Sequence, residues 1–371
     1  MKVVHVDTGR EWRGGQRQLL VLAEGLRERG HEQLIVCPEP SALEARARDA
    51  GLRVLTLPAH DLGYAFGSLL LRQSLAGEPY DVIHAHDGRG QTIAWIATVG
   101  THAKRVASRR VTFLPRGLGA QLRLHRLKYT LTCDRAIAIS NYVRELMVDA
   151  GVPGAKIEVI PDGIEFPAEL PGPEVRARVR AAWGVSDRDL AIGHVGAFAP
   201  EKGQDIAIEA MALLKDRFPA ARLLLVGGVS VEVLRPLSAR LDRAGKSVRL
   251  LGCLEDLAAF FAGLDLYVMP SRAEGLGSSA LLAMAHGLPV VASRVGGLPD
   301  VVEEGRCGWL VAPDAGGKVS PQALAEAIVV AASDRAGLAA AGAQARERAR
   351  EFASDIMVER TEALYQRLLA A

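Results

Sequence analysis

Glu274 and Lys202 are the residues whose surroundings best suit chemistry. Glu274 lies in Ser271-Arg-Ala-Glu274-Gly275-Leu276-Gly277-Ser278-Ser279. The apolar Leu266-Tyr-Val-Met-Pro270 precedes this stretch, and the helix-forming Ala280-Leu-Leu-Ala-Met-Ala-His-Gly287 follows it. A strand, a glycine-rich turn and a helix start aim backbone N–H groups and a positive dipole end at an anion. A carboxylate in that turn does not take the anion. It accepts hydrogen bonds from hydroxyls, so the turn suits a ligand with both phosphate and sugar. The pattern also fits a plain strand-to-helix turn with Glu274 as a helix N-terminal acid. Lys202, in Val195-Gly196-Ala-Phe-Ala-Pro-Glu-Lys202-Gly203, follows another strand and glycine turn. It is placed to neutralise a diphosphate, or it is a solvated surface lysine. Both residues fall at strand carboxyl ends of one sheet, which favours the phosphate role.

Other stretches carry two readings each. Thr8-Gly-Arg-Glu-Trp-Arg-Gly14-Gly15-Gln16 is either a backbone approach to a ligand or a mobile strand-to-helix loop, and it is neither GxGxxG nor a P-loop. His84-Ala-His86-Asp87 puts both histidines on one face at a strand's carboxyl end. No third ligand at metal-site spacing is evident, so they read as catalytic, sugar-binding or satisfied edge histidines. Asp187-Arg-Asp189 matches a D-x-D metal pattern but precedes a strand, at the wrong end for a ligand, and reads as a turn. No metal requirement is therefore expected. Gly88 to Cys133 holds no Asp or Glu. It carries Arg89, Lys104, Arg105, Arg109, Arg110, Arg116, Arg123, Arg126 and Lys128, with Leu114, Leu118, Leu122, Leu124 and Leu127 interleaved. It reads as contact with anionic lipid or a phosphorylated acceptor, or as a solvated basic helix.

These residues need elements to hold them. Strands are expected over 3–6, 34–37, 54–57, 82–84, 105–107, 136–139 and 157–160, with helices over 15–29, 42–50, 91–99 and 141–150 between them. The turn formers from Pro161-Asp-Gly163 to Pro171-Gly-Pro173 mark a linker. A second alternation follows, with strands over 190–195, 222–226, 248–251, 266–269, 290–292 and 308–311. Its helices run over 204–216, 231–244, 255–262, 321–332, 335–350 and 354–369. Alternation of this kind predicts two Rossmann-like α/β domains, residues 1–168 and 169–352, facing a central cleft. At 371 residues the chain exceeds one ordinary core, and a net charge of +2 with 5% aromatics gives no whole-protein pull on nucleic acid and few base-stacking platforms. Cys37, Cys133, Cys253 and Cys307 are dispersed and read as free thiols of a reducing compartment. Met1-Lys2 runs straight into a strand and no apolar run reaches spanning length, so a cytoplasmic chain that can touch a membrane surface is expected.

With these motifs placed, the chain resembles the retaining GT-B glycosyltransferases of family 4 over nearly its full length. The resemblance rests on Gly14-Gly15, Pro161-Asp-Gly163, Lys202-Gly203, Glu274-Gly-Leu-Gly277, Ala283-Met-Ala-His-Gly-Leu-Pro-Val-Val-Ala-Ser293, Gly296-Gly297, Gly308-Trp-Leu-Val311 and Tyr365 in the last helix. It implies transfer from a nucleotide-diphosphate sugar to a glycan or glycolipid acceptor, with retained configuration and neither metal nor cofactor. Cell-surface polysaccharide or lipopolysaccharide synthesis is the expected setting, at the inner face of a membrane. By this resemblance Lys202 and Glu274 are catalytic, and His86, from its place at a strand's carboxyl end, is counted with them. Gly14, Gly15, Gly196, Gly275, Leu276, Gly277 and Ser278 join Lys202 and Glu274 in binding the donor, and Arg109 and Arg110 contact the acceptor or an anion. The last helix, 353–371, would pack back on the first domain.

Three positions depart from the family pattern. Leu282 stands where a second, ribose-binding acid is usual, Ala197 where an Arg often follows the glycine, and arginines where many members have a His after the strand ending at 107–110. Two other functions stay open on these grounds: a nucleotide-sugar-binding protein with impaired catalysis, and a nucleotide-sugar epimerase of related fold.

Overall fold

The computed structural model describes residues 1–58, 63–112, 124–228, 232 and 235–371. The chain divides into two units, residues 1–163 with 353–371, and residues 164–352.

The first unit runs β1 (Lys2–Val6), α1 (Gly14–Glu28), β2 (Glu32–Glu39), α2 (Ala42–Asp49), β3 (Arg53–Pro58), α3 (Gly63–Leu75), β4 (Val82–Ala85), α4 (Gly88–Thr98), β5 (Lys104–Arg109), α5 (Leu124–Thr132), β6 (Arg135–Ala138), α6 (Asn141–Asp149) and β7 (Ile157–Val159). The second runs α7 (Pro173–Trp183), β8 (Ala191–Val195), α8 (Gln204–Leu214), β9 (Arg222–Val226), α9 (Ser238–Ala244), β10 (Val248–Gly252), α10 (Leu257–Ala262), β11 (Leu266–Met269), α11 (Ser278–Ala285), β12 (Val290–Ser293), α12 (Leu298–Val301), β13 (Gly308–Val311), α13 (Pro321–Ala332) and α14 (Arg335–Arg350). The last helix, α15 (Ser354–Ala370), belongs to the first unit.

Both sheets are parallel, in the orders β3-β2-β1-β4-β5-β6-β7 and β10-β9-β8-β11-β12-β13. Each order reverses direction once, between β1 and β4 and between β8 and β11. At such a switch point successive loops leave in opposite directions and open a crevice at the carboxyl ends. Period-two alternation assigns the faces of the first sheet. Val4, Val6, Leu34, Val36 and Ile83 pack toward α3 and α4. Val3, Val82 and Val106 pack against Leu22 and Leu26 of α1 and Met357, Val358, Leu364, Tyr365 and Leu368 of α15. Each such large apolar side chain contributes about 1.5–3 kcal/mol by leaving water.

Helix starts follow local capping. Ser41 and Ser140 accept from Glu44 N–H and Val143 N–H. Helix α4 begins at Gly88 rather than at 91, because Asp87 caps it by accepting from Arg89 N–H and Gly90 N–H. Pro173, expected in the linker, instead opens α7, where its fixed φ suits the first turn. Of the helix expected over 231–244, the described part is α9 behind a short 3₁₀ turn, Arg235–Leu237. Of the basic, leucine-rich segment, α5 is described; Leu114, Arg116, Leu118, Leu122 and Arg123 lie outside the described residues.

Candidate functional site

In the second unit the pairing of β11 with β8 ends at Tyr267 opposite Gly193. Beyond that point the Tyr267 hydroxyl takes the place of a strand partner. It accepts from Val195 N–H at 2.9 Å and donates to Val195 O at 3.2 Å. The buried tyrosine thus holds the two strands apart where the order reverses. Lys202 closes a 3₁₀ turn, Pro200–Lys202, just past β8. Gly203 follows with φ of 69°, and a Cβ there would run into the Pro270 carbonyl, so only glycine lets the two loops meet. The result is that Lys202 Nζ lies 2.6 Å from Glu274 Oε1 and 3.0 Å from Oε2.

Glu274 is buried and Lys202 half-buried. Gly296 (φ 57°) packs its backbone on the Glu274 carbonyl, which also accepts from Gly297 N–H at 3.1 Å. Arg272 clamps Asp205 with two bonds of 2.8 and 2.7 Å, and its backbone N–H donates to Glu201 O. Arg272 and Asp205 therefore tie the loop of Glu274 to the loop of Lys202. Sequence pattern gave no sign of this pair, because a contact across two loops has no fixed spacing. Gly277 is the N-cap of α11, which has no acid in its first turn. Its first-turn amides and dipole thus have no counter-charge from within the helix. Gly275 and Ser278 are half-buried beside it, whereas the Leu276 side chain is buried, so any ligand contact there is through backbone. Gly196 N–H donates to Val226 O, and Gln204 Nε2 donates to Ala197 O. Leu282 is half-buried on α11.

In the first unit one face of the sheet turns polar toward its carboxyl edge. His5 pairs in register with His84 and Ile35, and His84 with Val106. Gln33, His5, Asp7, His84, His86, Ser108 and Arg110 follow from this parity as a single patch. His5 Nδ1 is 3.0 Å from His86 Nε2, and His5 Nε2 is 2.8 Å from Gln33 Oε1. His86 Nδ1 is 3.2 Å from an Arg110 guanidinium nitrogen. His84 Nδ1 meets the Tyr365 hydroxyl at 2.5 Å and its Nε2 meets Ser108 Oγ at 2.8 Å. Burial holds all three imidazoles neutral: it lowers His5 to about 4, and puts His84 and His86 well below the ordinary range, with Arg110 adding to each.

Arg110 is the charged end of this patch. Its Nε donates to Asp162 Oδ1 at 2.8 Å, so the acid of Pro161-Asp-Gly163 serves as its counter-ion. Its Cδ lies 3.8 Å from where a Gly15 Cβ would be. Gly14 and Gly15 open α1, whose first turn has no acid. Asp7 and Asp87 shape the loop before it. Asp7 accepts from Gly9 N–H and Gln16 Nε2, both at 2.8 Å, and Asp87 accepts from the Thr8 backbone and hydroxyl. Burial, then the nearby Asp87 charge, raises Asp7 above the ordinary carboxyl range. Arg109 and Arg110, expected to act together, are split by strand alternation: Arg109 is buried on the opposite face, at Tyr129 of α5.

The third imidazole that sequence spacing did not show is His5. The ligating atoms of His5, His84 and His86 lie within 4.8 Å of one another. A metal fits them poorly. Every one of their ring nitrogens already has a protein partner, and a guanidinium abuts the cluster. The signal that could have found His5 is a single polar residue inside the apolar strand Val3-Val-His-Val6.

Comparison with known proteins agrees with this geometry. A family model described as Glycosyltransferase Family 4 matches residues 12–166, and one described as Glycosyl transferases group 1 matches residues 189–334. The chain is 31% identical over 325 residues to the GDP-mannose-dependent alpha-(1-6)-phosphatidylinositol monomannoside mannosyltransferase of Mycolicibacterium smegmatis, covering 81% of this chain and 82% of that protein. It is 31% identical over 281 residues to D-inositol 3-phosphate glycosyltransferase of Mycobacterium tuberculosis, covering 70% of this chain and 57% of that protein. Among solved structures, the Anabaena protein HepE in complex with UDP superposes with a TM-score of 0.87 at 23% identity, covering 99% of this chain and 100% of that one. Sucrose-phosphate synthase of Thermosynechococcus elongatus superposes at 0.80 with 22% identity over 100% and 99% of the two chains. The two parallel-sheet units have the GT-B fold, and the chain belongs to the group 1, family 4 glycosyltransferases and is a glycosyl-transferring enzyme.

Proposed function

We propose that this enzyme moves a sugar from a nucleotide-diphosphate donor to a hydroxyl of a glycan or glycolipid acceptor, with retained anomeric configuration and without metal. The observation that carries the reading is the Lys202–Glu274 pair at the crevice of the second unit. The diphosphate draws the Lys202 ammonium from the carboxylate and takes amides at Gly277 and Ser278, where charge grows in the transition state. Glu274, released, accepts from donor-sugar hydroxyls. The bond from the sugar to the diphosphate oxygen breaks, and the acceptor oxygen bonds the same face. The leaving phosphate oxygen takes the acceptor proton, so no protein nucleophile is needed. Gly14, Gly15 and Arg110 offer the α1 N-terminus and a fixed cation to an anionic group of a substrate. Relatives named for phosphatidylinositol mannoside and inositol 3-phosphate support an acceptor that carries phosphate.

Lys202→Ala and Glu274→Ala should each lower transfer about 100-fold or more with the fold intact, measured over a panel of nucleotide sugars. Unchanged turnover in both would remove the assignment. Product anomeric configuration, read by NMR, checks retention.

We further propose cell-surface glycan synthesis, lipopolysaccharide included, at an anionic membrane surface. Leu127 and Leu131 are exposed one turn apart on α5, beside the exposed Arg126. No helix among the described residues is long and apolar enough to cross a membrane. Flotation with anionic vesicles should weaken steeply as salt rises toward about 1 M, where screening is nearly complete. Flotation with neutral lipid alone would contradict this.

A further inference from the structure

The hydrogen bonds beneath Arg110 have a direction that the arginine itself dictates. A guanidinium has donors and no acceptor, so the His86 Nδ1 it touches must carry a lone pair. A neutral His86 then bears its proton on Nε2 and donates to His5 Nδ1. His5 therefore bears its own proton on Nε2 and donates to Gln33, whose oxygen must face it. Turning the Gln33 amide over would reverse every bond and bring an N–H of His86 against Arg110. Gln33 keeps the required orientation although its Nε2 is buried with no hydrogen-bond partner. Of the two orientations of this amide, only this one is compatible with Arg110 at the other end of the chain of bonds.

We propose that Gln33, His5 and His86 form a one-way hydrogen-bond relay that sets the tautomer of His86 and, with Asp162, fixes the guanidinium of Arg110, whose side chain runs past Gly15, as a preset contact for a substrate anion. The relay rests on the reading of Arg110 as an anion contact. It makes His86 a positioning residue, since it reaches substrate only through Arg110, and Gln33 the most distant of the set. A guanidinium held from two sides needs no reorganisation when an anion arrives, so loosening it weakens binding more than the chemical step. His84 stands beside the relay. It bonds Tyr365 and Ser108 instead, and its ring lies tilted against that of His86 with centroids 4.1 Å apart.

The test uses the full chain, with ¹⁵N-labelled histidine observed through long-range ring couplings at pH 7.5. His5 and His86 should both appear as the neutral Nε2–H tautomer. An Nδ1–H form of His86 in the native protein overturns the relay. Gln33→Leu removes the terminal acceptor. It should mix the tautomers and raise KM for the anion-bearing substrate about 5- to 10-fold, with kcat changed less than about twofold. Gln33→Glu keeps an acceptor oxygen and should return both the tautomer and KM to within about twofold of the native values. Native tautomers or native KM in Gln33→Leu count against the relay, and if that variant does not fold, the native spectrum and Gln33→Glu decide. Arg110→Gln separates the two levels. If it leaves KM unchanged, the reading of Arg110 as an anion contact fails, whatever the spectra show.

Discussion

His5 and His194 occupy the same place in the two sheets. Each sits in the first strand of its unit, is followed by a valine, and lies at the point where the strand order reverses. Each is buried and lowered to about 4, chiefly by burial. Their partners differ. His194 Nδ1 faces the Val268 carbonyl at 3.0 Å, so its proton is on Nδ1, and Gln204 Nε2 lies 3.3 Å from its other nitrogen. His5 holds its proton on the opposite nitrogen, donates it to Gln33 and accepts a hydrogen bond from a second imidazole. The same residue at the same topological position is thus a pin to backbone in one unit and a link in a polar chain in the other. The charges differ in the same way. In the first unit the ion pair of Arg110 and Asp162 is 12% and 9% exposed, whereas in the second Lys202 is 28% exposed beside Glu274 at 9%. One pair is built to stay closed, and the other leaves its cation within reach of water and ligand.

Removing one partner from each pair should separate them most sharply. Asp162→Ala leaves a guanidinium buried without its counter-ion and should cost about 3–5 kcal/mol of stability in denaturant melts. Glu274→Ala leaves an ammonium that water can reach, and its melt should move by no more than about 1 kcal/mol while activity collapses. Equal losses in the two would erase the distinction.

Acid should act next. His5, His84 and His86 are all held below their ordinary value of 6.5 in the folded first unit. The unfolded chain binds protons there first, so stability falls as pH drops through 6.5 and keeps falling toward about 4 for His5. At pH 5 His5 alone removes about 2 kcal/mol. Asp7 works the other way: held above its ordinary value of 3.8, it favours the folded state more as it takes up a proton. The second unit has His194 and the half-buried His286 to set against three clustered imidazoles. Hydrogen exchange at pH 5 against pH 7.5 should therefore show β1 and β4 losing protection before β8 and β11. The reverse order would overturn the contrast.

The smallest effect concerns the donor side alone. Leu282→Glu adds a carboxylate on half-buried α11, and should tighten donor binding by about 1–2 kcal/mol through one charged hydrogen bond, read by thermal shift. No change would mean that a ribose does not lie along that turn.

What the sequence disclosed divides along a physical line. The alternation of apolar strands and capped helices is local, so the two parallel α/β sheets could be read from it. Lys202 and Glu274 sit in short glycine-marked turns, and the fold brings them to 2.6 Å. Gln33 and His5 carry no such mark. Their meaning comes from cross-strand register and from Arg110, just past the end of β5 and far along the chain. Arg272 with Asp205, and Tyr267 with Val195, are likewise contacts between loops or strands whose separation in sequence is arbitrary. Where the chain folds on itself locally, residue type and spacing suffice; where polar groups meet through register, only the packed sheet reveals them.

Helix α15 covers one face of the first sheet, and its Tyr365 bonds His84. This element leaves the ribosome only after the whole second unit has been made. At ordinary rates of synthesis that interval is roughly 10–40 s. Throughout it, Val3, Val82 and Val106 would lack their α15 partners and His84 its tyrosine, a half-finished surface of the kind that nascent-chain chaperones bind. The price of stitching the two ends of the chain into one unit is a delay in folding, borne by the same face that carries the polar relay.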